Sequence, residues 1–120
     1  MIAYKINNKL NPPPLEGLHI GGSIGELMDR FFEERIFSDY AREVIYPETE
    51  EQFRLRDDDK RIVGMWRGEF WGKWMISACR AARMCKREDM YEFLRGAAHR
   101  LIATADPDGY IGTYRDKANF

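Results

Sequence analysis

The chain has little of what would assign it to a specialised class of protein. It contains two cysteines and two histidines in 120 residues, and its formal net charge is −1. No run of about eighteen apolar residues occurs, so a membrane-spanning helix is not expected. The near-zero charge gives no general attraction to nucleic acid or to an anionic membrane surface. The N-terminus, MIAYKINNKLNPPP, has no apolar signal core, and we therefore expect a cytoplasmic protein.

The few cysteines and histidines argue against a metal site. Cys79 and Cys85 lie six residues apart in one predicted helix, so their side chains point roughly 120° away from each other. That angle excludes a disulfide between them and does not suit a shared metal. We expect both to be buried, reduced thiols. His19 and His99 are isolated in the sequence, and we expect neither to be a metal ligand.

The composition is that of a globular domain. Hydrophobic residues make up 44% of the chain and charged residues 32%, which is far from the signature of disorder. We divide the chain into an extended N-terminal arm, residues 1–22, and a helical region, residues 23–120. Three consecutive prolines, Pro12 to Pro14, exclude a helix or a central strand in the arm. Both a docking segment and an ordinary tail are compatible with this arm.

A first helix is predicted from Ser23 to about Phe37. Ser23 and Glu26 have the spacing of a capping box, which opens helices. The apolar residues that follow recur every three or four positions, as in a stripe that faces a core. These residues are Ile24, Leu27, Met28, Phe31, Phe32 and Ile36.

The middle of the chain is predicted to be irregular. Pro47 is expected to end any continuation of the first helix. Residues 48–61 are rich in charge and are interpreted as a solvated connection, with a short extended piece at Phe53 and Leu55. Asp57, Asp58 and Asp59 do not have the alternating ligand spacing of a calcium-binding loop.

The clearest pattern in the chain is a pair of antiparallel helices. The first is predicted from about Phe70 to Lys86 and the second from about Asp89 to Ala105, each with helical spacing of apolar residues. Small residues in the first helix allow close packing against another helix. The predicted fold class is therefore mainly α, built from antiparallel helical hairpins. The sequence Asp106-Pro107-Asp108-Gly109 then predicts a turn.

The segment that leads into this helix pair has the chemistry of a binding site. Residues 66–74 read WRGEFWGKW, and residues 108–114 read DGYIGTY. Tryptophan rings offer flat apolar faces with one hydrogen-bond donor each, and glycine allows close approach of the backbone. This combination suits stacking on a sugar ring, and it suits equally well a core corner where a loop enters a helix.

Together, these two segments resemble the N-terminal region of the β-L-arabinofuranosidase-like glycoside hydrolases, and the helix start at residues 22–26 is similar to that family as well. The resemblance covers roughly residues 20–114. It implies an incomplete portion of an (α/α)6 toroid in which both segments lie near the mouth of a sugar pocket. The substrate-binding residues that it implies are Trp66, Arg67, Glu69, Trp71, Lys73, Asp108, Tyr110 and Tyr114.

The resemblance assigns no catalytic residue to this chain. In full-length relatives a zinc-bound cysteine is the nucleophile and a glutamate is the acid/base, and both belong to a later region of the family's chain. Cys79, Cys85 and Glu69 are therefore not given these roles. We expect the N-terminal part of a carbohydrate-active glycosidase, inactive alone and without zinc. The alternatives are a stand-alone carbohydrate-binding module and a helical module that associates with a copy of itself or with a complementing chain.

Overall fold

The computed structural model describes residues 10–11, 13–58 and 68–115, and the regular structure in these ranges is helical. The mainly α fold class predicted from the sequence is confirmed, whereas the toroid remains a prediction. No helix in these ranges is both long and apolar enough to cross a membrane. In chain order the elements are a 3-10 turn at Leu15–Gly17, α1 at Gly22–Phe31 with a π-helical extension at Phe32–Ile36, a π-helical turn at Ala41–Ile45, α2 at Tyr46–Leu55, a 3-10 turn at Arg56–Asp58, α3 at Glu69–Cys85 and α4 at Glu88–Ile102.

Helices α3 and α4 form the hairpin that the periodicity predicts, and their observed ends lie within three residues of the predicted ones. The corner is made by Lys86, whose φ is +53°, and by Arg87. The Arg87 guanidinium donates two hydrogen bonds of 2.8 Å to the Asp89 carboxylate and one of 2.7 Å to Glu33 of the α1 extension. The bonds to Arg87 lower the pKa of Asp89 to about 2. The corner is therefore linked by charge to the first helix.

The core is thin and rich in alanine. Tyr46 is fully buried, and its ring meets the edges of Trp74 and Phe93 with centroid separations of 5.8 and 5.3 Å. It therefore joins α2 to both helices of the hairpin. Alanines around it allow close approach of the helix backbones. The other buried residues of this cluster are Ile36, Phe37, Ala41, Ala78, Ala81, Ala82, Met90 and Leu94.

The prediction of an irregular stretch after Pro47 is wrong, because these residues belong to α2. Pro47 lies in the first turn of α2, where a missing backbone N–H has no intrahelical partner to lose. Tyr46, Thr49 and Phe53 are buried on one face at helical spacing. Their burial against α3 and α4 stabilises a helix whose other face is almost entirely charged. Phe53 and Leu55, predicted to be extended, are therefore helical.

The first helix forms, but two predictions about it are wrong. Its N-cap is Gly21, and no side chain caps it, so Ser23 and Glu26 do not form the expected capping box. Half of the predicted buried stripe is exposed, because Ile24, Leu27 and Phe31 face solvent, whereas Ile36 is buried as predicted. Met28 and Phe32 are half-buried. The helix is held instead by Gly25, which is buried, and by the π-helical extension that ends at Ile36. Part of the apolar stripe of α1 therefore lies on the surface of the protein.

The cysteines also differ from the prediction. Both are free, as expected, but Cys79 is half-buried and Cys85 is exposed. Desolvation raises the pKa of the Cys79 thiol, and desolvation together with the Asp29 and Glu33 carboxylates raises that of Cys85. Both thiols are therefore poorer nucleophiles than an ordinary cysteine.

We expect the Tyr46 hydroxyl to cost stability, because it is buried and finds no hydrogen-bond partner among the described residues. Replacing Tyr46 by phenylalanine keeps the ring contacts and removes the unsatisfied group, so the free energy of unfolding should rise by about 1 kcal/mol. Tyr46→Ala should instead lower it by about 3–5 kcal/mol, because it leaves a cavity. Urea denaturation measures both changes. A Tyr46→Phe variant less stable than the parent would show that the hydroxyl has an acceptor.

The same hydroxyl predicts a loss of stability at high pH. Desolvation raises the pKa of Tyr46 above its usual value near 10, so the folded state favours the neutral phenol. The contribution of the neutral Tyr46 phenol to the free energy of unfolding is fully present below pH 10 and is lost as the pH rises above 10. Between pH 10 and pH 12, the parent should lose about 1.4 kcal/mol per pH unit more than Tyr46→Phe. Parallel pH profiles for the two proteins would contradict this assignment.

Candidate functional site

The candidate site lies where the end of α2 meets the loop after α4. Arg56 donates one hydrogen bond of 2.9 Å to the Asp106 carboxylate and another of 3.1 Å to the Thr104 carbonyl oxygen. Its guanidinium also lies 5.4 Å from the centre of the Tyr110 ring. The Arg56 and Asp106 side chains are mostly buried, at 16% and 28% exposure, so this ion pair is shielded from solvent more than the pairs on the helix surfaces. Arg56 therefore attaches the C-terminal loop to α2.

The backbone of Arg56 is strained. Its φ is +53° and its ψ is −126°, a combination that residues with a side chain rarely adopt. Such a conformation persists when the surrounding contacts determine it. The three contacts of the Arg56 guanidinium hold the backbone in this conformation. The position of the side chain and the strained turn therefore depend on each other.

The loop that Arg56 holds is ordered by its own hydrogen bonds. Gly109 donates to the Asp106 carbonyl at 2.8 Å, which closes the turn predicted from Asp-Pro-Asp-Gly. Gly109 is the last residue of this turn, and its φ of +85° lies in the region that favours glycine. The Tyr110 backbone N–H donates to the Asp108 carboxylate at 3.1 Å. The Tyr110 hydroxyl donates to the Tyr114 carbonyl at 3.0 Å. The tyrosines of this loop thus have a structural role in the turn.

A close contact joins this loop to the start of α3. A Cβ placed on Gly68 would lie 2.9 Å from the Thr113 methyl group and 3.0 Å from the Phe53 ring, so a side chain at Gly68 would clash. Gly68 also has a φ of +82°, and its N–H donates to the Gln52 side chain at 3.2 Å. Phe53 in turn packs edge-on against Trp71, with ring centroids 6.3 Å apart. Phe53 therefore lies between the two segments that the sequence associates with sugar binding.

A cavity of about 310 Å³ opens beside Phe53. Its walls include three guanidinium groups and two carboxylates, with Phe53 and Leu55 as apolar surface. Asp106 is paired with Arg56, and Asp58 forms an ion pair with Arg115. The charged residues that line it are Arg54, Arg56, Asp58, Asp106 and Arg115. The cavity therefore combines several hydrogen-bond donors and acceptors with a small apolar surface.

The structure separates the predicted binding residues into two groups. Asp108, Tyr110 and Tyr114 belong to the loop that Arg56 holds, and Trp71 contacts it through Phe53. Glu69 and Lys73 form an exposed ion pair of 2.7 Å one turn apart on α3, and Lys73 lies 5.7 Å from the Phe70 ring. Lys73 lines a different groove, with Phe31 and Trp74. Trp66 and Arg67 lie outside the described residues.

A zinc site is not supported by the residues that the structure describes. Within these ranges, no group of three or more histidine, cysteine, aspartate or glutamate side chains is placed to hold a metal ion. The metal that the glycosidase resemblance implies for full-length relatives therefore does not fit the described part of this chain, and no chemistry is assigned to it.

Sequence reasoning missed Arg56 and Phe53, which organise the site. Both lie in the charged stretch that we interpreted as a solvated connection. The signal that could have found them is the spacing of Tyr46, Thr49 and Phe53, which places three residues on one helical face. The pairing of Arg56 with Asp106 spans fifty residues of sequence, and no local pattern indicates it.

We expect Arg56→Ala to release the C-terminal loop. The substitution removes the ion pair, the bond to the Thr104 carbonyl and the contact with Tyr110, so the free energy of unfolding should fall by about 1–2 kcal/mol. Amide hydrogen exchange at Tyr110 and Thr113 should also become faster. Arg54→Ala is the matched control, because Arg54 is 64% exposed and pairs with Glu51 within α2. It should change the free energy of unfolding much less than Arg56→Ala does, and an equal effect of both variants would contradict the role of Arg56.

Comparison with known proteins adds no assignment to this geometry. No family model, no curated protein and no solved structure matches the chain. The function of the site therefore has to be inferred from its own residues.

Proposed function

We propose that this chain is a carbohydrate-binding part of a helical-hairpin, glycosidase-like protein, and that it binds a small sugar without hydrolysing it. The observation that carries the proposal is the cavity at the end of α2, which is lined by three guanidinium groups and two carboxylates. The resemblance of residues 66–74 and 108–114 to β-L-arabinofuranosidase-like enzymes supports the same class of ligand.

The size and lining of the cavity suit a monosaccharide unit. Its volume of about 310 Å³ is at the lower end of the range of small-molecule sites. A sugar presents hydroxyl groups around its edge and C–H groups on its face. Guanidinium groups can donate to the hydroxyl oxygens and carboxylates can accept from the hydroxyl hydrogens, while the half-buried Leu55 supplies apolar surface. Because three guanidinium groups stand against two carboxylates, the cavity favours a neutral or acidic sugar over an amino sugar.

The same ion pairs argue against hydrolysis in this cavity. A glycosidase needs one carboxylic acid to protonate the leaving oxygen and a second group to act as base or nucleophile. Asp106 is bound by Arg56, and Asp58 by Arg115, so both are held as acceptors and not as proton donors. The cavity can therefore position a sugar, and catalysis would have to come from another part of the architecture.

We expect sugar binding to change tryptophan fluorescence, because Trp71 packs against the Phe53 ring that lines the cavity. Titration with methyl β-L-arabinofuranoside should give a saturable change with a Kd of roughly millimolar. Arg54→Ala should weaken binding about fivefold, since it removes one donor from the wall. Arg95→Ala is the matched control. Arg95 is also 64% exposed and pairs with a glutamate three residues earlier in its helix, but it does not line the cavity.

Two results of this titration would overturn the proposal. The first is no saturable change with any member of a panel of neutral and acidic monosaccharide glycosides up to tens of millimolar. The second is an equal loss of affinity in Arg54→Ala and Arg95→Ala, because a general effect of surface charge, and not the cavity, would then explain binding.

We also expect the purified chain to release no phenol from an aryl β-L-arabinofuranoside. Absorbance of the released aryl group measures this directly, and the Glu69→Gln variant serves as comparison. Glu69 is exposed, and its carboxylate forms an ion pair with Lys73. Release by the parent that disappears in Glu69→Gln would show that the chain is itself a glycosidase.

A further inference from the structure

A second cavity lies next to the candidate site, between α2 and the end of α4. Its volume is about 500 Å³, which exceeds that of the cavity beside Phe53 and lies within the range of small-molecule sites. We call this second cavity the α2–α4 groove. The residues that line it do not include any of the substrate-binding residues that the glycosidase resemblance implies. The groove is therefore a feature that the sequence does not indicate.

The α2–α4 groove adjoins the cavity beside Phe53, because Arg54 and Thr104 line both. Two nitrogens of the Arg54 guanidinium donate to the Glu51 carboxylate, one of them at 2.8 Å. The Thr104 hydroxyl donates to the Leu101 carbonyl oxygen at 2.7 Å. The two shared side chains are therefore held by neighbouring residues, and a ligand can contact them from either cavity.

The groove extends along one face of α2. The helix residues that line it recur at spacings of three and four, and they are Pro47, Glu50, Glu51 and Arg54. From Pro47 to Arg54 the helix rises by roughly 10 Å. The cavity beside Phe53 lies at the C-terminal end of this row, since α2 contributes its last residues to that lining. A ligand that fills both cavities is therefore elongated and lies along α2.

The polar groups of the groove suit a neutral ligand with several hydroxyl groups. Arg100 of α4 donates hydrogen bonds of 2.7 and 2.9 Å to the two carboxylate oxygens of Glu50, whose side chain is only 12% exposed. Each of these oxygens can accept a further hydrogen bond. Together with Glu51 and Arg54, the groove has two carboxylates and two guanidinium groups. These charges balance, so the groove does not favour a charged ligand.

The rest of the lining suits the face of a sugar ring. Pro47 and Ala103 are exposed and supply apolar surface for C–H groups. The Thr104 hydroxyl already donates its proton to Leu101, so its oxygen can only accept from a ligand hydroxyl. Apolar surface with a few polar groups beside it is typical of small-molecule sites.

We propose that the α2–α4 groove is a second sugar subsite, so that the ligand of this chain is a glycan of at least two units. This inference rests on the proposed sugar binding and extends it. One unit occupies the cavity beside Phe53, a neutral unit occupies the groove, and Arg54 and Thr104 lie beside the linkage. A second unit that is linked to the first adds contacts without the cost of a second association.

Isothermal titration calorimetry with matched glycosides tests the second subsite. The probes are the methyl glycosides of β-L-arabinofuranose, β-D-xylose and β-D-glucuronic acid, and the three disaccharides in which a xylose unit replaces the methyl group. For at least one of these sugars, we expect the disaccharide to bind at least about tenfold more tightly than the methyl glycoside. Equal affinities within every pair that binds would overturn the second subsite and leave the proposed sugar binding intact. Absence of binding by all six probes would overturn both.

The variant Ala103→Gln tests whether the groove supplies this gain. Ala103 is exposed at the end of α4 and lines the groove but not the cavity beside Phe53, so a longer side chain there should fill the groove and leave the core intact. The disaccharide should then bind no more tightly than its methyl glycoside. Circular dichroism checks that the variant is folded.

Ala105→Gln is the matched control, because Ala105 is also exposed, lies two residues later and lines neither cavity. This variant should retain the roughly tenfold preference for the disaccharide. A preference that persists in Ala103→Gln, or that disappears equally in both variants, would show that the second unit does not bind in the groove.

Discussion

The packing of Tyr46 between Trp74 and Phe93 is the contact on which the rest of the fold depends. It connects α2 to both helices of the hairpin, and the backbones come close because four of the eight other buried residues of the cluster are alanines. Such a core buries few large side chains, and Tyr46 and Met90 are the largest that it encloses fully within the described residues. Burial of the Tyr46 ring also buries its hydroxyl group, which has no hydrogen-bond acceptor among the described residues. The close packing around the Tyr46 ring therefore contributes the stability that a larger core would gain from the area it buries.

Arg56 has a similar role for the C-terminal loop. The loop follows α4 and has few apolar residues of its own, so it is held by hydrogen bonds, an ion pair and the stacking of Arg56 on Tyr110. The strained backbone at Arg56 turns the chain so that its side chain reaches Asp106. A polar cavity results beside the attachment point. The proposed sugar binding is thus a consequence of how the loop is attached.

A thin core also explains the apolar surface. A helix in a larger domain has neighbours on several sides, whereas α1 is packed along one side and leaves Ile24, Leu27 and Phe31 exposed.

The sequence alone determined the elements whose stability is local. The spacing of apolar residues along α3 and α4 and the Asp-Pro-Asp-Gly turn are set by interactions within about four residues, and these predictions are confirmed. The tertiary structure alone decided which apolar stripe is buried. The stripes of α1 and α4 look alike in sequence, yet Leu94 is buried and Leu27 is exposed. It also decided that residues after Pro47 are helical and that Arg56 pairs with Asp106. These outcomes depend on partners about fifty residues away, and local periodicity carries no information about which partner is present.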